Sequence, residues 1–463
     1  MSSLLTRRHL VRAVAISVGA AATTINVVFA EEKKVQKLAN QKIVVIGGGS
    51  AGIGVSAMLL NEGATNVTII EPASVHYYQP LWTLCGTGIK NNRDSARPME
   101  EVIPKKSKWL KKGAKGVDPE NNIVTLSDGT TVTYDYLIVA PGIKTNWTAV
   151  PGLVDALHDE KAGVVSIYDF DYSDKAYQAI QNFSGGRAIF TVPATPVKCP
   201  GAVQKIMWLF EEYISEAKDK TLRSKSSVEL WSAGEVIFGV KKYADMLEKE
   251  KTARNVITNF KMNLVSVDGS KKIATFKNSK DGTLTEVAYD LMHVSPPMGA
   301  VDFLKGSSIA NEAGFVLVDS YTMQSQKYHN IFALGDCAST ANSKTVAAVT
   351  SQAPVVVHNL QQLIKNEPLN GVYNGYASCP LVVGKDRVIL AEFGYGGKIM
   401  ETFDSNTGKF PYSLVGQEGA GRMALWAFFK KEFFPFVYWN LWTKGHWFGN
   451  SGPFKPDVTK TVK

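Results

Sequence analysis

Cysteine is scarce in this chain. Its 463 residues include four, Cys85, Cys199, Cys337 and Cys379, too few and too dispersed for a disulfide scaffold. None forms a C-x-x-C pair, which argues against zinc, and no metal centre is expected. Zinc-finger spacing and RNA-binding aromatic motifs are also missing, and the net charge of +9 is therefore not read as nucleic-acid affinity. It suits anionic surfaces or substrates, while the basic run Lys105 to Lys115 reads as a solvated face. No acid occurs before Glu31, whereas Arg7, Arg8, His9 and Arg12 lie among several serines and threonines. That profile predicts a mitochondrial transit peptide and linker over residues 1–40. The uncharged stretch Ala13–Ala30 is almost long enough to span a bilayer, but Ser17, Thr23, Thr24 and Asn26 weaken it. A bacterial export signal and a membrane anchor are the competing readings.

A further absence is more telling. The fingerprint GGGSAG (47–52) follows the apolar strand Lys42–Ile46 and opens a helical run from Ser50 to Leu60. Gly47 allows the tight turn, Gly49 the approach of a pyrophosphate, and Gly52 the packing of helix on sheet. Ser50 and Ala51 begin the helix, whose N-terminus favours negative charge. Glu71 closes the next strand, Val67–Ile70, placed to accept from adenosine ribose hydroxyls. The later strand Ala188–Val192 leads to no such loop. It runs into Pro193-Ala194-Thr195-Pro196-Val197-Lys198-Cys199-Pro200-Gly201, where prolines remove amide donors and a thiol stands in place of a nucleotide site. The second domain is thus expected to lack a nicotinamide nucleotide and to take electrons through sulfur chemistry. Pro200 reads as the first residue of a helix, which with Lys198 and Lys205 would favour the Cys199 thiolate.

The two segments echo each other. Thr131–Gly142 reads TVTYDYLIVAPG and Glu286–Pro297 reads EVAYDLMHVSPP, each after an Asp-Gly turn. We expect an α/β protein of two nested Rossmann-like dinucleotide-binding domains: residues 41–160 and 290–375 for the flavin domain, 161–289 for the inserted one. Residues 376–463 form a C-terminal region. Asp336, ending the apolar strand of NIFALGDCAST (330–340), is placed for a ribityl hydroxyl. Lys344, Thr345, Val346 and Ala347 open a helix whose N-terminus suits a reduced isoalloxazine, which favours FAD over NAD.

With these residues in view, the chain resembles the mitochondrial type of sulfide:quinone oxidoreductase. The resemblance covers nearly all of residues 42–450. It is carried by GGGSAG, EPASVHYYQPLWTLCG (71–86), IFTVPATPVKCPGAVQKIMWL (189–209), FGVKKYAD (238–245), FALGDCAS (332–339), NSKTVAAV (342–349), YASCPLVVG (376–384), RVILAEF (387–393) and PFVYWN (435–440). It implies that Cys199 and Cys379 meet at the flavin as a redox pair. Sulfide attacks the bridged pair, Cys379 keeps a persulfide, and the Cys199 thiolate passes two electrons to FAD and so to a ubiquinone-type quinone. The sulfane sulfur moves to an acceptor: glutathione, sulfite, coenzyme A or sulfide. The resemblance also places Gln79 near FAD and Lys205 and Lys430 at the cleft where sulfur leaves. His76, Cys85 and Cys337 read as structural.

The segment 422–448 holds four of the nine tryptophans, Trp426, Trp439, Trp442 and Trp447, punctuated by Arg422, Lys430, Lys431 and Lys444 and divided by Pro435. Neither piece can span a bilayer, so both are expected to lie in the membrane interface. With the resemblance and the transit-peptide profile, this leads us to expect a peripheral, monotopic protein of the mitochondrial inner membrane; a homodimer is left open. A core helix pair is the alternative for this segment. For the whole chain, a type II NADH:quinone dehydrogenase and the flavin subunit of a cytochrome-linked sulfide dehydrogenase are the rivals.

Overall fold

A computed structural model of the chain describes residues 37–402 and 428–459. The expected targeting segment therefore lies almost wholly outside the described residues, as do Arg422 and Trp426.

Two five-stranded parallel sheets organise the molecule. In the first the order is Ile331–Ala333, Tyr136–Val139, Ile43–Ile46, Val67–Ile70 and Lys108–Leu110. In the second it is Val164–Val165, Leu291–Val294, Gly186–Val192, Ser226–Ser232 and Ile257–Phe260. Strands such as Ile43–Ile46 and Val67–Ile70 are buried along their whole length, as continuous runs of valine and isoleucine dictate in parallel sheets covered on both faces.

The sheets are superposable in their wiring. Each central strand, Ile43–Ile46 or Gly186–Val192, leads through a loop into a helix, Ser50–Asn61 or Ala202–Ser215. Each sheet also receives a strand from an antiparallel meander. Ala114–Asp118, Ile123–Leu126 and Thr131–Thr133 feed Tyr136–Val139; Met262–Asp268, Ile273–Asn278 and Leu284–Ala288 feed Leu291–Val294. The Asp-Gly pairs sit at the matching hairpin turns, with Gly129 and Gly282 at φ 84° and 76°. The sequence echo is thus a repeated supersecondary unit, and the Cys199 loop occupies the position equivalent to GGGSAG.

One expected boundary moves. Leu291–Val294 pairs with both Val164–Val165 and Gly186–Val192, so the second sheet closes at Val294, and a boundary between 289 and 290 would cut it. The chain crosses between domains through a two-stranded ribbon, Lys144–Thr145 against Met298–Gly299.

The C-terminal region divides. The hairpin Ala377–Gly384 with Arg387–Phe393 packs on the helix Ala202–Ser215 and joins the core of the second domain. Ser378, Cys379 and Pro380 are part of the first strand of this hairpin. Pro380 is tolerated there because a two-stranded hairpin leaves one side of each strand without partners. Residues Phe429–Phe433 form a π-helical turn that continues into the short helix Phe434–Asn440. Tyr438, Trp439 and Trp442 are buried in the core of the first domain, which corrects the expectation of a wholly membrane-facing segment. Phe428 and Phe436 remain 54% and 58% exposed. Among the described residues no helix is long and apolar enough to cross a membrane.

Candidate functional site

The fingerprint loop shows why its glycines are needed. Gly47 has φ +101°, and a Cβ there would lie 2.3 Å from the Ala140 carbonyl oxygen. A Cβ on Gly52 would come within 1.8 Å of the Gly47 carbonyl oxygen. Gly49 differs, since a Cβ there would meet nothing within 4 Å. The chain's own packing does not demand glycine at that position, but a ligand approaching the backbone would. The helix Ser50–Asn61 has Gly49 as its N-cap and no side-chain cap, which leaves first-turn amides available to an anion. Glu71 is held on the loop: one carboxylate oxygen accepts from Gly48 N–H at 2.6 Å and the other from Ala73 N–H at 2.7 Å. Carboxylate oxygens retain further acceptor capacity.

Asp336 and the helix Val346–Ile364 face this loop across the sheet end. The Asp336 carboxylate has no hydrogen-bond partner among the described residues, and burial raises its pKa. The Lys344 ammonium donates to the Asp336 carbonyl at 2.6 Å, its own pKa lowered by burial. Thr345 caps the helix through its hydroxyl, which accepts from Ala348 N–H at 3.2 Å, and Val346 and Ala347 form the half-buried first turn. An open glycine, an uncapped helix end and an unpartnered carboxylate together fit a dinucleotide cofactor. Gln79 is exposed on the turn Gln79–Leu81; its carbonyl accepts from Trp82 N–H, and its side chain makes no hydrogen bond among the described residues.

The cysteine loop is tied to this site. Cys199 N–H donates to the Lys344 carbonyl at 2.8 Å, which puts the thiol beside the start of the helix Val346–Ile364. Its backbone is left-handed, φ +48°, an unusual conformation for a residue other than glycine. Pro200 was expected as the first helical residue, yet the helix begins at Ala202 with Gly201 as its cap. A left-handed Cys199 interrupts the helical path and turns the thiol away from the helix axis. It turns towards Cys379: the two Sγ atoms are 3.7 Å apart although 180 residues separate them in sequence. A Cβ on Gly201 would lie 2.7 Å from the Cys379 sulfur, so that glycine makes room for the pair.

The electrostatics of the pair are asymmetric. A hydrogen bond from Cys379 draws the Cys199 pKa well below the ordinary thiol range; burial opposes this, and the Lys205 ammonium, 3.3 Å from Cys199 Sγ, reinforces it. Cys379 moves the opposite way, its proton retained by the hydrogen bond to Cys199 and by burial. The expected causes were a helix N-terminus, Lys198 and Lys205; the structure keeps Lys205, adds Cys379, and stacks Lys198 over Trp82. Lys205 is 3% exposed. Burial disfavours its charge, but the fields of Cys199 and Cys379 outweigh that and keep it protonated. Lys430 is also 3% exposed, and its ammonium donates to the Pro80 carbonyl at 2.6 Å. Burial, then repulsion from Lys205, brings its pKa down to about 7. Both lysines lie in the field of the sulfur pair.

The other two cysteines are held protonated by burial. Burial pushes the Cys85 and Cys337 thiols up to about 12, and Cys337 donates to the Val139 carbonyl at 3.2 Å. His76 is buried between the Gly48 carbonyl, 3.0 Å from Nδ1, and the Tyr438 hydroxyl, 2.6 Å from Nε2. The carbonyl can only accept, so Nδ1 carries the proton and Nε2 accepts from Tyr438. Burial lowers its pKa to about 4, and it is a neutral structural bridge from the tail to the fingerprint loop. Trp442 was not anticipated there: its indole N–H donates to the Ser50 carbonyl and hydroxyl, each at 3.1 Å. Gly54 is the signal that could have revealed it, since a Cβ there would lie 2.0 Å from the Trp442 ring.

The family profile of pyridine nucleotide-disulphide oxidoreductases matches residues 41–176. The mitochondrial sulfide:quinone oxidoreductase of Dictyostelium discoideum is 42% identical over 438 residues, 93% of this chain and 92% of that one. The corresponding protein of Schizosaccharomyces pombe is 40% identical, covering 90% of this chain and 93% of its own. Among solved structures, the sulfide:quinone oxidoreductase of Aquifex aeolicus has the same fold, with a TM-score of 0.68 at 19% identity over 86% of this chain and 91% of that one. A paired thiol where the second glycine loop would stand, on a duplicated dinucleotide-binding scaffold, agrees with identities of this order over nine-tenths of the chain: it belongs to the sulfide:quinone oxidoreductase family of flavin-dependent oxidoreductases.

Proposed function

We propose that the chain oxidises hydrogen sulfide at the Cys199–Cys379 pair, sends the electrons to a ubiquinone-type quinone, and releases sulfane sulfur to a small thiol, sulfite or further sulfide. The observation that carries this reading is the contact of the two sulfurs at 3.7 Å with the Lys205 ammonium 3.3 Å from one of them. The cofactor is FAD; when bound, it accepts two electrons from the thiol pair and yields them to quinone. Gly47, Gly49, Ser50, Ala51 and Gly52 would hold its pyrophosphate, Glu71 its adenosine ribose, Asp336 its ribityl chain, and Lys344, Thr345, Val346 and Ala347 the flavin end, with Gln79 nearby.

The asymmetry of the pair favours one direction of attack. In the oxidised protein, hydrosulfide bonds to Cys379 Sγ and the bond between Cys379 and Cys199 breaks, its electron pair leaving on Cys199. The balance is HS⁻ plus the disulfide giving Cys379–S–SH plus the Cys199 thiolate. Cys199 is the better leaving group because Lys205 stabilises its anion. Lys205 and Lys430 line the exit of the outer sulfur, where positive charge favours an anionic acceptor such as sulfite or a thiolate. The mitochondrial inner membrane is the proposed location, with the exposed Phe428 and Phe436 turned to the bilayer surface.

Anaerobic stopped-flow mixing tests the reading. Sulfide should bleach the flavin absorbance rapidly and NADH should not. Cys199→Ser should retain FAD and lose the sulfide response; bleaching by NADH, or a normal sulfide response in Cys199→Ser, overturns it.

A further inference from the structure

At the carboxyl edge of the second sheet lie two buried hydroxyls that the chain itself leaves unused. Val164–Val165 runs into Ser166, Ile167 and Tyr168, and the adjacent strand Leu291–Val294 runs into Ser295. Tyr168 is 5% exposed and Ser295 2%. Neither hydroxyl has a hydrogen-bond partner among the described residues. The Tyr168 hydroxyl lies against that of Ser295, short of hydrogen-bonding geometry, and within the fields of both Cys199 and Cys379. In open α/β sheets this edge is where ligands sit. A buried hydroxyl without a partner is costly, and such groups mark a water, an ion or a reacting species.

Tyr168 is also held firmly. Its amide donates to the Ser166 hydroxyl at 3.2 Å, and that hydroxyl donates to the Val294 carbonyl at 2.8 Å. The neighbouring Ile167 amide donates to His293 Nε2 at 3.2 Å. Burial pushes the His293 pKa down to about 3, so the ring stays neutral and adds no charge to the edge. With its segment tied to the strand Leu291–Val294, Tyr168 offers a fixed donor within the field of the sulfur pair.

We propose that the Tyr168 and Ser295 hydroxyls form a seat for the outer sulfur: hydrosulfide as it approaches Cys379, then the terminal sulfur of the persulfide it becomes. This rests on the reading of Cys199 and Cys379 as the reacting pair. Tyr168 forms no covalent bond and is a positioning residue. Burial, with the charges of Cys199 and Cys379, raises the pKa of its hydroxyl above the ordinary tyrosine range. It therefore donates a hydrogen bond to a sulfur anion throughout the working pH range and does not act as a base. Ser295 can donate to the anion or accept from S–H.

The test is anaerobic single turnover of the oxidised holoenzyme with sodium sulfide, read two ways: the sulfide dependence of the rate, and the cyanide-labile sulfur retained after one equivalent of sulfide. In Tyr168→Phe the sulfide concentration for half-maximal rate should rise about ten- to hundredfold, the loss expected for one hydrogen bond to a charged acceptor. The maximal rate should change little, because the seat holds the sulfur before and after attack alike. Retained cyanide-labile sulfur should fall with it. Ser295→Ala should move both readouts in the same direction, and it serves alone if Tyr168→Phe fails to fold. Tyr289→Phe loses an equally buried, unpartnered hydroxyl beside the meander of the second domain and should leave both readouts unchanged. Wild-type sulfide dependence in Tyr168→Phe and Ser295→Ala overturns the seat and leaves it to a structural water. Cyanide-labile sulfur still forming on Cys379→Ser would overturn the cysteine-pair reading instead, so the two failures are separable.

Discussion

Cys199 and Cys379 are chemically identical residues made different by their neighbours. Lys205 and the Cys379 thiol both stabilise negative charge on Cys199, and that charge in turn holds the proton on Cys379. A depressed pKa means that Cys199 is a thiolate at pH values where an ordinary thiol, near about 8.5, is protonated. In the reduced protein iodoacetamide should therefore alkylate Cys199 rapidly at pH 7 and leave Cys379 to a more alkaline range, as peptide mass spectrometry would show. Lys205→Met should shift the Cys199 profile to higher pH. The shift will be partial, because Lys430 is brought to about 7 by burial and then by repulsion from Lys205, and removing Lys205 relieves the second of these and favours charge on that ammonium. Adding Lys430→Met should extend the shift, and an unchanged profile in the double variant would show that neither lysine sets the thiol. Cys199 itself was legible in the sequence, since it displaces a glycine loop at a fixed point in a duplicated unit. The asymmetry was legible only in direction. Its source, Cys379, arrives from 180 residues away on a hairpin, and no local pattern reports such a contact.

Elements in this molecule are shaped by what lies against them as much as by their own sequence. The helix Ser50–Asn61 was readable from the fingerprint and its apolar run, but Gly54 in its interior lowers helix propensity without local reason. The reason is tertiary: Trp442 from the far end of the chain packs on that glycine and donates to Ser50. Gly54→Ala should gain a few tenths to about 1 kcal/mol in helix propensity and lose more to a Cβ placed 2.0 Å from the indole. We expect net destabilisation of about 1–3 kcal/mol, the usual cost of overpacking, measured by thermal unfolding. Trp442→Ala should cost about 3–5 kcal/mol as a buried aromatic truncation. In the double variant the costs should fall short of their sum, because the alanine methyl then occupies space the indole has left. Strict additivity would mean that the two residues do not touch. The same tertiary logic explains Ser378–Pro380, whose turn-like composition is overridden by pairing with Arg387–Phe393.

At the scale of the whole molecule the aromatic segment serves two ends, and its composition alone could not separate them. Tyr438, Trp439 and Trp442 join the core of the first domain, and Lys430 is buried within the field of the thiols even though a buried lysine is costly. The sulfur pair and the carbonyl of Pro80 make that burial tolerable. Deleting the segment would therefore strip the core and could not test membrane docking. The exposed rings can. Phe428 and Phe436 are 54% and 58% exposed on either side of the π-helical turn, and Lys431 and Lys444 accompany them. Each ring entering the acyl boundary would contribute at most about 1.5–3 kcal/mol of apolar burial, so two rings can decide whether a monotopic protein stays bound. Phe428→Ser with Phe436→Ser should reduce co-sedimentation with anionic phospholipid vesicles at least tenfold and slow turnover with a long-chain quinone. The sulfide half-reaction should remain as fast as in the wild type, because neither ring touches the cysteine pair. Vesicle binding that persists unchanged would move the docking surface elsewhere, and an equal loss in both half-reactions would mean that the rings support the fold and not the membrane contact.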